Sequence, residues 1–167
     1  MTAKRIMVDM SATLIHHGHV RLLKKAAEYG EVIVGLTSDE EILKKKGYKP
    51  ELLYEHRKEI LEAISCVSEV VPTPWLIEES ILNHFNIDLL IHGDDNSNII
   101  SDDRLIVLPR TSGVSSTELR TRAAKSISQI NNQKLMLTPG PAVVLHENIV
   151  NLKPLFGRGD SEYSVMA

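Results

Sequence analysis

Short apolar runs alternate along this chain with segments whose apolar residues recur at helical spacing. The run at 31–36 (EVIVGL) is β-branched and apolar on both faces, as in a parallel strand covered on both sides. Between His17 and Tyr29 the apolar residues follow the period of an amphipathic helix, and Gly30 ends it. Because parallel strands need crossover connections, this alternation predicts an α/β fold, a Rossmann-like parallel sheet with helices on both faces.

The same pattern predicts the residue range of each strand and helix. The predicted strands are 5–8, 31–36, 67–71, 88–92 and 104–108, with Pro72 and Pro74 ending the third. The predicted helices are 17–29, 54–64, 75–85 and 115–130, with a short helix capped at Thr37-Ser38-Asp39. Ligands of such sheets bind beyond the carboxyl ends of the strands, so the loops after strands one, four and five are expected to carry the site.

The length of 167 residues fits one domain with an appendage. The pair Asn131-Asn132 reads as a linker, and Pro139-Gly140-Pro141 breaks regular structure. We therefore expect a complete domain over 1–130, followed by a linker and the start of a separate segment over 131–167.

Composition excludes several classes of protein. A net charge of −3 and seven aromatic residues argue against a nucleic-acid-binding surface. The single cysteine, Cys66, lies in an apolar-rich run and is expected to be an inert core thiol. Asp9 interrupts the apolar stretch behind Lys4, so neither a signal peptide nor a membrane span is expected, and the predicted compartment is the cytoplasm.

The most informative motif is His16-His17-Gly18-His19, at the junction of the first strand and first helix. His16 and His19 are three positions apart and share a helix face, and Gly18 lets a ligand approach the backbone. Free N–H groups at a helix start attract phosphate, and two imidazoles can stabilise charge at phosphorus. The alternatives are capping histidines or a metal pair, although no third metal ligand is evident nearby.

Three further segments suit phosphate chemistry. The stretch 113–120 (GVSSTELR) joins a glycine and hydroxyl residues to a helix start, and Arg120 is expected to pair with phosphate; its alternative is a plain capping box. Lys44-Lys45-Lys46 is expected in a loop after the second strand, to neutralise a triphosphate or simply to face solvent. The acidic pair in His92-Gly93-Asp94-Asp95 suits Mg²⁺ or a nucleotide, and otherwise an ordinary turn. Arg57 is expected on the surface of its helix.

Together these segments, over residues 4–128, resemble the cytidylyltransferase family. The family's HxGH motif matches 16–19, and its R/K-T-x-G-I-S/T-T-T/S stretch matches 110–117 (RTSGVSST). The resemblance implies transition-state stabilisation by His16 and His19, and Lys46 between the phosphates of the two substrates. It also implies a nucleotide site formed by Ser11, Ala12, Gly18, Gly93, Asp94, Arg110, Thr111, Gly113, Val114, Ser115, Ser116, Thr117 and Arg120. Ser115, Ser116 and Thr117 would hold the β and γ phosphates, and Mg²⁺ and a homodimer are expected, with metal ligands unassigned.

The chain departs from the family pattern at 10–13, where Met-Ser-Ala-Thr stands in place of Gly-Thr-Phe-Asp. Thr13 therefore removes a charge near the phosphates and indicates an unusual acceptor. The tail gives a second indication, because 134–141 (KLMLTPGP) and 156–163 resemble the start of a 2-aminoethylphosphonate-type aminotransferase. The resemblance implies fusion to an aminotransferase in a longer protein, and points to the phosphonate-specific branch of the family.

The implied reaction is CMP transfer from CTP to 2-aminoethylphosphonate, with release of pyrophosphate. Phosphoethanolamine, phosphocholine and glycerol-3-phosphate are the alternative acceptors, and few aromatic residues disfavour a choline cage. An adenylyltransferase is a weaker alternative, because the stretch 110–117 resembles the cytidylyltransferases more. A catalytically inactive nucleotide sensor and a transaminase accessory protein are the alternatives from other classes.

Overall fold

The computed structural model describes residues 3–137 and contains a sheet of five parallel strands. The strands are β1 (Arg5–Met10), β2 (Glu31–Thr37), β3 (Val67–Thr73), β4 (Leu89–Gly93) and β5 (Leu105–Leu108). The helices are α1 (His17–Ala26), α2 (Asp39–Lys46), α3 (Tyr54–Glu62), α4 (Glu79–His84) and α5 (Ser116–Leu137), with a short 3₁₀ turn at Asp102–Arg104. The predicted α/β class is confirmed.

The order of the strands across the sheet is β3-β2-β1-β4-β5. The chain moves outward from β1 through β2 to β3, and then returns to the other side of β1 with β4. The order therefore reverses between β1 and β4, and a crevice opens at the carboxyl ends of these two strands. This reversal determines where a ligand site forms.

Apolar side chains cover the sheet on both faces. On one face Ile6 and Val8 of β1 pack with Leu23 of α1 and Leu61 of α3. On the other face Met7, Ile33 and Leu90 pack with Ile77 and Leu82. Cys66 is half-buried at the edge of the first cluster. Burial on both faces is why the strands read as continuous apolar runs rather than alternating ones.

The third strand continues past its predicted end. Pro72 pairs with Leu36 inside β3, which was expected to stop before it. Since β3 is an edge strand, the missing proline N–H costs no hydrogen bond within the sheet. The expected stop at Pro72 was therefore wrong.

The helix expected over 75–85 is shorter in the structure, beginning only at Glu79. Two backbone N–H groups of the preceding segment bond to side chains instead of to a helical turn. Trp75 donates to Glu41 Oε2 at 3.1 Å, and Ile77 donates to Asn98 Oδ1 at 2.8 Å. These long-range bonds take the place of helical ones in this segment, and local periodicity does not predict them.

The lysine run expected in a loop forms the last turn of α2. Three acidic residues at the start of α2 and three lysines at its end complement the helix dipole. Gly47 then ends the helix with a left-handed φ of 74°.

The last helix is longer than expected. Ser115 caps it, since its Oγ accepts from the Glu118 N–H at 3.1 Å, but α5 continues through Asn131-Asn132 to Leu137. The expected linker pair is thus helical. The chain divides into two units after Arg120. Among the described residues, the second unit consists of the rest of α5, which ends at Leu137. The domain division at 130 stays a prediction, and the aminotransferase-like segment from Thr138 onward lies outside the described residues.

Candidate active site

A cavity of about 540 Å³ opens at the carboxyl ends of β1 and β4. All but three of the predicted site residues line it: Ser11, Ala12, His16, Gly18, His19, Lys46, Gly93, Arg110, Thr111, Val114, Ser115, Ser116 and Thr117. Asp94, Gly113 and Arg120 do not. The structure therefore brings together segments that are about a hundred positions apart in the sequence.

The two motif histidines form a stacked pair at the start of α1. Their ring centroids are 3.9 Å apart, and each Nδ1 accepts a backbone N–H: that of Gly18 for His16, and that of His16 for His19, both at 3.2 Å. An Nδ1 that accepts a bond carries no proton, so each neutral ring has its hydrogen on Nε2. The caps thus select the tautomer that leaves an N–H donor on each ring.

Both histidines are held neutral. Burial, followed by the neighbouring charges of His16 and Arg110, lowers the pKa of His19 to about 3. Burial also lowers the pKa of His16, with further contributions from His17 and Arg110. The pair is therefore suited to donating hydrogen bonds rather than to supplying fixed positive charge. His16 and His19 do cap α1, as the alternative interpretation predicted, and both also line the cavity.

Gly18 is required by the packing of the pair. A Cβ at this position would lie 2.9 Å from His16 Nδ1 and 3.2 Å from a methyl group of Val114. Gly18 thus permits both the histidine cap and the close approach of the segment that precedes α5.

A buried arginine supports the loop after β1. Arg57, expected on the surface, is fully buried and donates to the carbonyl oxygen of Ser11 at 2.6 Å. It also forms an ion pair with Asp39 at 2.5 Å and donates to the carbonyl of Leu52 at 3.0 Å. The next residue in the loop, Ala12, has a left-handed φ of 44°, which is strained for a residue with a Cβ.

Asp9 forms part of the cavity floor, and sequence reasoning missed it by treating it as the end of a strand. Its side chain is only 9% exposed. Oδ2 accepts from Asn98 Nδ2 at 3.1 Å and lies 3.6 Å from His92 Nε2, whereas Oδ1 is buried without a hydrogen-bond partner among the described residues. Burial raises the pKa of Asp9, against the opposing effects of His92 and Asn98. A buried carboxylate oxygen without a partner calls for a cationic or donor group from a ligand.

The acidic turn after β4 contributes Asp95 rather than the predicted Asp94. Asp94 is exposed outside the cavity, while Asp95 Oδ2 forms an ion pair with Arg110 at 2.9 Å. A Cβ on Gly93 would approach Asp95 Oδ1 to 2.9 Å, so the glycine makes room for this turn. Sequence could not separate two adjacent aspartates of which Asp95 lines the cavity and Asp94 does not.

Lys46 reaches the cavity from the end of α2. Its Nζ lies 5.3 Å from the centre of the Trp75 ring, and Trp75 also lines the cavity. Arg21 and Lys25, on the face of α1 that carries Gly18, add positive charge that sequence reasoning missed. Among the described residues, the charged side chains of the lining are four cations and two carboxylates, namely Arg21, Lys25, Lys46, Arg110, Asp9 and Asp95.

The start of α5 lines the cavity with the hydroxyl residues Ser115, Ser116 and Thr117, and a helix N-terminus suits phosphate. Ser116 Oγ donates to the carbonyl of Leu14 at 3.2 Å, joining α5 to the loop before α1. Gly113 turns the chain into α5 with a φ of 73° but does not line the cavity. Arg120 is also outside the cavity, because its guanidinium is engaged by Glu51 and Thr13.

Neither a metal cluster nor a membrane span is found among residues 3–137. Within this range, no group of three or more His, Cys, Asp or Glu side chains could hold a metal ion. Likewise, none of its helices combines the length and the apolar character needed to cross a bilayer.

The chain is similar to known proteins over most of its described length. Residues 11–122 match the family model described as cytidylyltransferase-like. The chain is 34% identical over 126 residues to the glycerol-3-phosphate cytidylyltransferase of Bacillus subtilis, covering 72% of this chain and 98% of that protein. It is 34% identical over 127 residues to the ethanolamine-phosphate cytidylyltransferase of Dictyostelium discoideum, covering 69% of this chain and 35% of that protein.

A solved structure supports the fold alone. The lipopolysaccharide core biosynthesis protein from Thermoplasma volcanium superposes with a TM-score of 0.57 at 14% identity, over 66% of this chain and 99% of that one.

Proposed function

Because the chain belongs to the cytidylyltransferase-like family and is a CTP-dependent nucleotidyltransferase, we propose that it transfers CMP to a small phosphate or phosphonate bearing a primary amine. The acceptor oxygen attacks the α-phosphorus of CTP, the bond from that phosphorus to the bridging oxygen of the β-phosphate breaks, and pyrophosphate leaves. An acceptor phosphate or phosphonate is already ionised near neutral pH. The attack therefore needs no general base.

The cavity supports this reaction through positioning and charge stabilisation. The Nε2–H groups of His16 and His19 are suited to stabilising charge on the oxygens of the α-phosphorus. Lys46 at the end of α2 supplies a mobile positive charge for phosphates of either substrate. The hydroxyls and N–H groups at Ser115 and Ser116 suit the outer phosphates of CTP.

One observation carries the choice of an amine: Asp9, which lines the cavity, has a buried Oδ1 with no hydrogen-bond partner among the described residues. Asn98 satisfies the other oxygen of the carboxylate, and His92 is 3.6 Å away. A primary ammonium would compensate the buried charge and supply the missing hydrogen bond. The hydroxyl of glycerol-3-phosphate would donate a bond but leave the charge uncompensated.

Phosphoethanolamine and 2-aminoethylphosphonate both meet this requirement, since both carry a primary amine and differ only in the oxygen between carbon and phosphorus, which the phosphonate replaces by a direct C–P bond. The name of the Dictyostelium relative supports phosphoethanolamine. The phosphonate is supported by the resemblance of the tail at 134–141, and it remains the acceptor that the sequence predicts.

Mg²⁺ is expected to offset the charge of the triphosphate. Of the described carboxylates of the cavity, Asp95 is engaged by Arg110, and Asp9 is the proposed partner of the acceptor's amine. The triphosphate and water would therefore supply most ligands, as is common for this ion.

The experiment measures pyrophosphate release with CTP and four acceptors: 2-aminoethylphosphonate, phosphoethanolamine, phosphocholine and glycerol-3-phosphate. We expect the two primary amines to give the highest kcat/KM. Asp9→Asn should lower kcat/KM for them by about thirtyfold or more, in line with loss of a buried charge pair, and leave glycerol-3-phosphate nearly unaffected.

Preference for glycerol-3-phosphate with no effect of Asp9→Asn would contradict the amine proposal. Faster turnover of phosphoethanolamine than of 2-aminoethylphosphonate would contradict the phosphonate branch alone. His16→Ala separates an enzyme, which loses turnover, from a nucleotide sensor, which loses at most affinity.

A further inference from the structure

Arg120 joins three segments that each carry part of the candidate site. Its Nη2 donates to Thr13 Oγ1 at 2.9 Å and to Glu51 Oε2 at 2.5 Å, and its Nε donates to the other oxygen of Glu51. The ring of Tyr48 lies 4.8 Å from the guanidinium carbon. One side chain thus links the start of α5, the β1–α1 loop and the α2–α3 loop.

The charge of this guanidinium is already compensated. Its hydrogen bond lowers the pKa of Glu51, and the same contact raises the pKa of Arg120. Neither Arg120 nor Glu51 lines the cavity, whose described lining includes Thr13. Arg120 thus contacts Thr13 of the lining but does not itself line the cavity, whereas direct phosphate binding is the role that the sequence predicted for it.

Each linked segment leads directly to a group in the cavity. Thr13 follows the strained Ala12, and Tyr48 follows the end of α2 that carries Lys46. Arg120 itself lies a few residues after Ser115 and Ser116 on α5. Displacing the guanidinium would let these three parts of the site move independently.

We propose that Arg120, with Glu51 as its counter-charge, is a positioning residue that holds Lys46 and the Ala12–Thr13 turn against the start of α5. The proposal depends on the CTP-dependent reaction of the family and not on the identity of the acceptor. It assigns Glu51, which does not line the cavity, an effect on catalysis.

Thr13 offers a rescue experiment. The related family pattern has an aspartate at this position, whereas here the negative charge facing Arg120 comes from Glu51 on another loop. In Glu51→Gln the guanidinium loses its counter-charge. Adding Thr13→Asp would return a carboxylate at the atom position that already accepts from Arg120.

The test compares Arg120→Lys, Glu51→Gln and the double variant Glu51→Gln/Thr13→Asp. It measures kcat with the best acceptor of the panel above, and the Kd of CTP by calorimetry without acceptor. We expect both single variants to lose about tenfold or more in kcat, with a smaller change in Kd, because misplacement affects the transition state most. The double variant should recover a large part of the kcat lost by Glu51→Gln.

A phosphate-binding role gives the opposite pattern. Freeing Arg120 by Glu51→Gln would then tighten CTP binding, and Arg120→Lys would weaken binding more than it lowers kcat. Either that pattern, or an unchanged kcat in Glu51→Gln, would overturn the proposal. Should Arg120→Lys fail to fold, Glu51→Gln and its rescue decide the same question.

Arg104 supplies the matched control, since it forms a comparable cluster with Glu79 and Asn83 away from the cavity. Arg104→Lys should lower the melting temperature and leave kcat unchanged. Loss of kcat in this control as well would show that any arginine cluster acts through global stability, and would count against a specific role for Arg120.

Discussion

The guanidinium of Arg57 donates to the carbonyl oxygen of Ser11 at 2.6 Å, beneath the loop that leads to the histidine pair. The same side chain is fully buried and forms an ion pair with Asp39. A helix residue that is remote in sequence thus determines the course of the chain at the end of β1. Arg57 acts on the site through the backbone of Ser11.

Removing this support should destabilise the protein. Arg57→Ala removes the counter-charge of Asp39 and the donor to the carbonyl groups of Ser11 and Leu52, at an expected cost of about 2–4 kcal/mol in the free energy of unfolding. Denaturant midpoints would measure it. Lys58→Ala is the control on the same helix: its exposed pair with Glu62 should contribute at most about 0.5 kcal/mol. Equal midpoints for the two variants would contradict the proposed support of the β1–α1 loop by Arg57.

The histidine tautomer leads to a prediction that discriminates between two variants at one position. The amide nitrogen of glutamine can approach the place of Nε2, whereas that of asparagine approaches the place of Nδ1. If the Nε2–H of His19 stabilises the transition state, His19→Gln should retain more kcat than His19→Asn, which should lose about 10²–10³-fold. Steady-state rates with CTP check this, and a better His19→Asn enzyme would exclude the assigned donor.

His19 also predicts how stability depends on pH. Its pKa in the folded chain is about 3, below the ordinary value of 6.5, so between these values the unfolded chain binds the additional proton. The free energy of unfolding therefore rises with pH through this window, by at most about 1.4 kcal/mol per pH unit from this one group.

Denaturant midpoints of wild type and His19→Gln between pH 4 and 7 would test that contribution. The variant should lose less stability as the pH falls. Parallel curves would mean that His19 does not carry the linkage.

Gly18→Ala should reduce activity more than the addition of a single methyl group suggests. The new Cβ would lie 2.9 Å from His16 Nδ1 and 3.2 Å from Val114, so the cap, the ring or the facing segment must shift. We expect a loss of about 1–3 kcal/mol in stability and a larger proportional loss in kcat. Thermal melts and rates measured on the same preparation would separate the two effects, and full activity would show that the ring can move without consequence.

Prediction from the sequence succeeded where the residues of a single segment were enough to indicate its structure. The β-branched runs predicted the strands, and the glycine and hydroxyl residues before α5 predicted its cap at Ser115. It failed where the deciding contact is long-range: Asp9 and Asn98 meet from distant parts of the chain, and Asn98 in turn holds Ile77 out of the helix expected there.

The sequence by itself determined the alternating α/β class, the histidine motif at the start of α1 and the hydroxyl-rich start of α5. These depend on local periodicity and capping, which are determined by residues close together in the sequence. Only the tertiary structure decided that Asp95 rather than Asp94 enters the cavity, that Arg57 is buried, and that Arg120 faces Glu51. The reason is physical: the reversal of strand order at β1 and β4 brings remote side chains together, and their mutual charge and burial then select each one's partner.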